Sequence, residues 1–324
     1  MYYITILAWS ASMMLKAFGP LYENGAASVG PTFGGVLTSW LPAGLVVLLW
    51  VVNAVALSKG TATIERVVKV FVPMMWAFML ILVIRGLTLA EGSQGIWYLF
   101  TPNFDGIKSP SVWQGAFSQM FFSLSLGLGT MTAYASYLPK NADVVANGSM
   151  VSFLNCSFEF VAGLAIFSML FAFSLHPGAD TGTLGMSLVV IPSGIASFPG
   201  AQAVFAFAFF LLLVIAGITS SISIIESPVA AIRDKFGWSR RKTLAVIGVP
   251  GIIGSILFSL PMMVSKDGAD VQPAGISFLE LIDHWAFGYS LLIVGLVEAI
   301  LIGHVYGIEK LRTKLNRNAK FKLG

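Results

Sequence analysis

Residues 119–129 read Gln-Met-Phe-Phe-Ser-Leu-Ser-Leu-Gly-Leu-Gly, and they lie within a run from Ser109 to Pro139 that contains no Asp, Glu, Lys or Arg. The run is long enough to cross a bilayer, because a spanning helix needs about 20 apolar residues. Two glycines two residues apart, preceded by two serines, weaken a helix at this point. Non-helical backbone is tolerated at membrane depth only where it lines a cavity or is buried in protein. The stretch therefore predicts a membrane-spanning helix that is broken near 123–129, and close helix packing through small residues is the alternative.

The composition of the whole chain is that of a membrane protein. Of its 324 residues, 56% are hydrophobic and 10% are charged, and the mean hydropathy is +0.84. A soluble domain carries about 25% charged residues, so the composition excludes an ordinary cytosolic enzyme and, despite the net charge of +4, a nucleic-acid-binding protein. The single cysteine excludes an intramolecular disulfide framework. An intramembrane enzyme is disfavoured because the sequence contains no convergent acid–base or metal-binding motif.

Apolar segments separated by polar links predict the topology. They predict an all-α membrane protein with about eight spanning helices, at roughly 1–18, 37–57, 65–89, 112–138, 149–174, 201–232, 241–262 and 276–308. Fifteen of the 19 Lys and Arg residues fall in links on one side, which the positive-inside rule assigns to the cytoplasm. We expect a multi-pass protein of the plasma membrane (the bacterial inner membrane), with one transmembrane domain over 1–308 and a basic cytoplasmic tail over 309–324.

Polar side chains at membrane depth are costly and indicate function. Ala216, Thr219 and Ser220 share one helix face. A carbonyl and two hydroxyls there suit a hard, exchangeable cation such as Na⁺, although Ser and Thr more commonly hydrogen-bond a neighbouring helix. Asn155 and Glu159 are one helical turn apart. The Glu159 carboxyl is either protonated and bonded to another span or balanced by a bound cation.

The order and spacing of these motifs resemble the neurotransmitter:sodium symporters. Residues 119–137 resemble the sixth transmembrane helix of that family, residues 154–159 the seventh, and residues 216–221 the eighth. The likeness covers nearly the whole chain, so its eight spans match family helices three to ten of an inverted-repeat fold. In that match, 1–90 is a remnant of the first repeat and 112–308 is the second repeat.

The resemblance implies an amino-acid substrate held at the bilayer midplane with two sodium ions. The positions that match substrate-binding residues are Tyr3, Phe122, Ser125, Leu128, Ser220 and Ile224. The positions that match sodium ligands are Ser123, Asn155, Ala216, Thr219 and Ser220. Gln119 and Asp283 resemble outer-gate residues, and Tyr137 and Asp234 resemble inner-gate residues. Glu159 stands where the bacterial chloride-independent branch carries an acid in place of chloride.

The likeness lacks the first two family helices and those after the tenth. In the family, the first helix supplies unwound backbone to both sodium sites, so this chain would provide only part of each oxygen shell. We therefore expect a sodium-coupled amino-acid symporter in the form of an incomplete fragment that does not transport alone. The alternative is a non-transporting remnant or a membrane subunit that needs a partner chain. The expected partners are the amino acid, sodium and the lipid bilayer, and no nucleic acid. A homodimer, or helices supplied by another chain, is left open.

Overall fold

Helices dominate the computed structural model, which describes residues 1–59, 61–174, 183–266 and 270–324. Apolar segments form helices because backbone groups in hydrocarbon must find their hydrogen-bond partners within the same segment. In chain order the helices are α1 (Tyr2–Lys16), α2 (Val29–Leu37), α3 (Leu41–Lys59), α4 (Thr61–Thr88), α5 (Gly92–Phe100), α6 (Pro110–Ser123), α7 (Thr130–Ser136), α8 (Val144–Ala172), α9 (Thr183–Gly185), α10 (Ile191–Ile195), α11 (Gln202–Phe236), α12 (Arg240–Phe258), α13 (Ala274–Asp283), α14 (Leu291–Ile300) and α15 (Ile308–Asn316). π-Helical segments Met186–Val190, His284–Ser290 and Leu301–Gly307 join α9 to α10, α13 to α14 and α14 to α15.

All eight predicted spans contain helix in the described residues. Six helical segments there are long and apolar enough to cross a membrane, namely Leu41–Ser58, Val68–Thr88, Val144–Ala172, Gln202–Phe236, Arg240–Phe258 and Ala274–Asn316. The first predicted span is the 15-residue helix α1. The fourth is divided into α6 and α7. The prediction of an all-α membrane fold with a broken helix is thus confirmed.

Several short elements lie outside the predicted spans. They are α2, α5, the apolar helix Met186–Ile195 and an antiparallel hairpin of β1 (Met263–Lys266) and β2 (Asp270–Pro273). In the hairpin, Met263 pairs with Pro273 and Lys266 with Asp270. The helices among these elements are too short to span a bilayer, so a search for long apolar runs does not find them.

The chain divides into two compact units. The first contains Met1–Thr101, Val161–Ile225 and Ile232–Leu279, and the second contains Pro102–Phe160, Glu226–Ala231 and Glu280–Gly324. The proposed division into repeats at 1–90 and 112–308 concerns internal symmetry and stays a prediction.

Close contacts at glycines shape the packing of the first unit. Its buried core includes Trp9 and Phe210. A Cβ added at Gly217 would overlap the side chain of Leu7, and one at Gly251 would overlap the indole of Trp50. Small residues let helix backbones approach closely, which is how helices pack in lipid.

Candidate functional site

The break between α6 and α7 belongs to the second unit. Gly127 and Gly129 have φ angles of 70° and 69°, and Ser125 has a φ of 55°. Glycine adopts this left-handed conformation without steric cost, whereas a residue with a side chain is strained there. The two glycines that predicted the break are thus the residues that permit it, and Ser125 adds a strained position that the pattern did not reveal.

A polar cluster around Glu159 lies beside the break. The Ser123 hydroxyl, at the last residue of α6, donates to Glu159 Oε1, and Asn155 Nδ2 donates to Ser123 Oγ. Asn155 Nδ2 lies 3.3 Å and Gln119 Nε2 lies 3.5 Å from the same carboxylate oxygen. The structure therefore brings together four predicted residues, two assigned to sodium, one to charge compensation and one to the outer gate. The groups that hydrogen-bond to the Glu159 carboxyl here are neutral, so none of them supplies a positive charge.

The three predicted substrate residues of this unit surround the same break. The ring of Phe122 meets Phe287 edge-on, with the centroids 4.9 Å apart. Ser125 lines a cavity of about 310 Å³ that also includes Glu298. The carbonyl oxygen of Leu128 accepts a hydrogen bond from Ser227 Oγ at 3.2 Å.

The other predicted ligands lie in the first unit, on α1 and α11. The Thr219 hydroxyl donates to the Ala216 carbonyl oxygen at 2.7 Å, which places two of the predicted oxygens side by side. The Tyr3 hydroxyl is hydrogen-bonded to Ser220. Ile224 lies one turn further along α11 and is half-buried. This face thus carries two adjacent hard oxygens and a tyrosine–serine pair, and their assignment to sodium and substrate stays a prediction.

The predicted gate residues have different surroundings. Tyr137 donates its hydroxyl proton to Glu226 Oε1 at 2.8 Å. Asp283 is the last residue of α13, and Asp234 lies in the last turn of α11; both are exposed. Their pairing as gates stays a prediction.

Two buried polar contacts were not anticipated from the sequence. Glu226, which is 6% exposed, accepts a hydrogen bond from the Tyr137 hydroxyl. Asn53, with no exposed surface, accepts from Ser221 Oγ at 2.6 Å and donates to the Leu49 carbonyl. A polar residue inside an apolar helix was the available signal in both cases, since such residues require a partner.

Known proteins of similar sequence point to one family. The sequence profile of the sodium:neurotransmitter symporter family matches residues 30–324. A sodium-dependent transporter of Methanocaldococcus jannaschii is 37% identical, across 100% of this chain and 66% of its own length. The sodium- and chloride-dependent glycine transporter 1 of Xenopus laevis is 31% identical, across 81% of this chain and 41% of its own. The sodium-dependent dopamine transporter of Caenorhabditis elegans is 32% identical, across 78% and 40%. The chain thus spans between two-fifths and about two-thirds of the length of these relatives.

A solved structure agrees with this likeness. The crystal structure of MhsT in complex with L-phenylalanine superimposes with a TM-score of 0.85 and 28% identity, covering 97% of this chain and 70% of MhsT. The family consists of secondary transporters and not enzymes. With its apolar helices, its broken helix and a family match over most of its length, the chain belongs to the sodium:neurotransmitter symporter family and is a multi-pass protein of the plasma membrane.

Proposed function

We propose that this chain carries the second-repeat half of a sodium-coupled amino-acid symporter of the chloride-independent type. The observation that carries the proposal is the cluster of Gln119, Ser123, Asn155 and Glu159 beside the helix break. A carboxylate among neutral donors in an apolar helix needs a compensating positive charge, because an uncompensated charge is costly in a membrane. A sodium ion at Ser123 and Asn155 would supply that charge.

The first unit supports a second sodium position. The Ala216 carbonyl and Thr219 hydroxyl oxygens are 2.7 Å apart, and Ser220 follows directly on α11. Hard cations prefer carbonyl, hydroxyl and carboxylate oxygens and take six or so of them. These three residues would therefore form part of an oxygen shell that other segments complete.

The proposed substrate is an apolar or aromatic amino acid. Tyr3 and Ser220 are hydrogen-bonded to each other, and hydroxyls of this kind can bind a substrate carboxylate. Phe122 and Leu128 would provide apolar contacts to its side chain. L-Phenylalanine, the ligand named for MhsT, is the first amino acid to test.

Thermal unfolding in detergent tests the sodium sites without requiring transport. A ligand at ten to a hundred times its Kd stabilises a protein by about 1.4–2.7 kcal/mol, which corresponds to a Tm rise of about 2–4 °C for a chain of this size. We expect a higher Tm in NaCl with L-phenylalanine than in KCl with L-phenylalanine. Thr219→Val and Asn155→Ala should each reduce that rise by at least half. Ser157→Ala is the matched control, because its hydroxyl donates within α8, to the Phe153 carbonyl.

Equal Tm values in NaCl and KCl, with and without amino acids, would contradict the sodium proposal. That result would favour the alternative, a non-transporting membrane subunit or remnant. If NaCl raises the Tm of Thr219→Val and of Asn155→Ala as much as that of the wild type, the chain binds sodium but these two residues are not its ligands.

A further inference from the structure

A groove of about 420 Å³ lies between α3 and α12 in the first unit. Its walls include Trp50, Val51, Gly248 and Val249, and Arg241 lines it at the end formed by the start of α12. Val51 and Val249 are 52% and 58% exposed. The groove is therefore an apolar channel on the outer surface of two membrane-spanning helices, with a cation at its cytoplasmic end by the positive-inside rule.

The polar lining of the groove is already satisfied except at that end. Asn53 lines the groove, but its amide oxygen accepts from Ser221 Oγ and its amide nitrogen donates to the Leu49 carbonyl. The middle of the groove thus offers a ligand only apolar contacts. A ligand that fits it has a long apolar part there and its polar part at Arg241.

Positive charge is concentrated around Arg241. The neighbouring Arg240 donates from Nε to the Leu57 carbonyl at 2.9 Å, which fixes its guanidinium at the end of α3. Lys242 Nζ lies 4.2 Å from the centroid of the Trp238 ring. These three cations are the first three residues of α12, where the helix dipole also favours an anion. The cytoplasmic leaflet is the anionic one, and basic pockets between membrane helices on this side bind anionic lipid head groups.

We propose that this groove binds one anionic phospholipid, with an acyl chain between α3 and α12 and the head-group phosphate at Arg241. Charge complementarity at one end and apolar walls along the rest select a lipid over a soluble anion. The same two features select an anionic head group over a zwitterionic one, because a zwitterion carries its own cation towards Arg240 and Arg241.

Native mass spectrometry of the delipidated chain tests this directly. Phosphatidylglycerol and phosphatidylcholine with identical acyl chains are titrated separately, and the bound fraction is compared. We expect phosphatidylglycerol to bind more tightly, and Arg241→Gln to lower its affinity about fivefold, since a Lys or Arg near an anionic surface contributes about 1 kcal/mol. Lys322→Gln, which removes one charge from the basic tail, is the matched control and should leave the affinity unchanged.

A second variant tests the apolar part of the site. A Cβ at Gly248 meets no atom within 4 Å, so Gly248→Leu can add apolar volume to the groove and improves helix propensity. It should reduce the binding of both lipids. Gly148→Leu, at an equally open glycine of α8, should not. If Gly248→Leu fails to fold, Ala245→Leu on the same wall replaces it.

Equal binding of the two lipids by the wild-type chain would overturn the proposal. So would an Arg241→Gln variant that keeps its preference for phosphatidylglycerol. A dimer of this chain that Gly248→Leu dissociates would also overturn it, because a second copy would then be the occupant.

Discussion

Replacing Gly217 by Ala should destabilise the first unit and weaken its proposed sodium position. A Cβ at Gly217 would overlap Leu7 Cδ2 and lie 3.1 Å from Leu7 Cγ and 3.2 Å from Cδ1. Leu7 is 3% exposed, so its side chain has little room to rotate away. α1 and α11 must separate to accommodate the methyl group. Tyr3 lies one turn from Leu7, and Ser220 one turn from Gly217, so the separation also lengthens the hydrogen bond between them.

The magnitude follows from two opposing effects. Overpacking a filled interior costs about 1–3 kcal/mol, while replacing Gly by Ala within a helix gains about 1 kcal/mol. Gly148→Ala is the control, because a Cβ there meets no atom within 4 Å and the variant keeps only the gain. The two alanine variants should therefore differ by about 1–3 kcal/mol, or about 1.5–4.5 °C in Tm. Tryptophan fluorescence in detergent measures this difference, and the same samples in NaCl and KCl report the loss of sodium stabilisation.

Truncation of the opposing side chain identifies the cause. Leu7→Ala removes the three atoms that the new methyl group approaches, so the double variant with Gly217→Ala should be more stable than the sum of the two single effects predicts. A coupling of about 1 kcal/mol or more is expected for residues in direct contact. Equal stability of Gly217→Ala and Gly148→Ala, or strictly additive effects of Leu7→Ala and Gly217→Ala, would refute the proposed steric contact between α1 and α11.

Two further predictions concern the second unit. Tyr137→Phe removes one hydrogen-bond donor to the buried Glu226 carboxyl group and should cost about 1.5–3 kcal/mol; an unchanged Tm would contradict this hydrogen bond. The pKa of Asp143 is lowered by hydrogen bonds from the backbone N–H groups of Ala146 and Lys320. Because its pKa is lower in the folded protein, this carboxylate contributes stability at pH values above its ordinary pKa. The contribution is lost as the pH falls through the pKa of Asp143 in the folded protein. Hydrogen exchange of the Ala146 and Lys320 amides, corrected for intrinsic rates, should therefore accelerate below about pH 4 in the wild type. In Asp143→Asn the exchange of these amides should be faster at neutral pH and should change little with pH. Identical pH profiles of exchange in the wild type and the variant would reject this role of Asp143.

The broken helix was predictable because its cause is local. Gly127 and Gly129 are the residues that adopt positive φ, and their spacing is visible in the sequence. The pair of Asn155 and Glu159 was predictable for the same reason, since helical geometry alone places residues four apart on one face. Ala216 and Thr219, three residues apart, also share a helix face, and their oxygens are adjacent.

Contacts between distant segments could not be derived in this way. Tyr137 and Glu226 are separated by 89 positions, and Ser221 and Asn53 by 168. Helical periodicity says which face a side chain occupies but not which helix lies opposite. The resemblance to a family could place Tyr137 near a gate, yet its hydrogen bond to a buried carboxyl group depends on which turn of α11 lies opposite, namely the one that contains Glu226.

The glycines of the two units illustrate two different physical requirements. Gly217 and Gly251 have ordinary helical backbone and are glycine because Leu7 and Trp50 occupy the space of a side chain. Truncating the opposing side chain can therefore compensate for an added methyl group. Gly127 has a positive φ as well as a neighbour, Leu291 Cδ1, 2.9 Å from an added Cβ. A left-handed backbone costs a residue with a Cβ about 1–2 kcal/mol whatever surrounds it, so truncating Leu291 could relieve only the steric part of that cost. The helix break is thus fixed by backbone conformation, whereas the contact between α1 and α11 is fixed by packing.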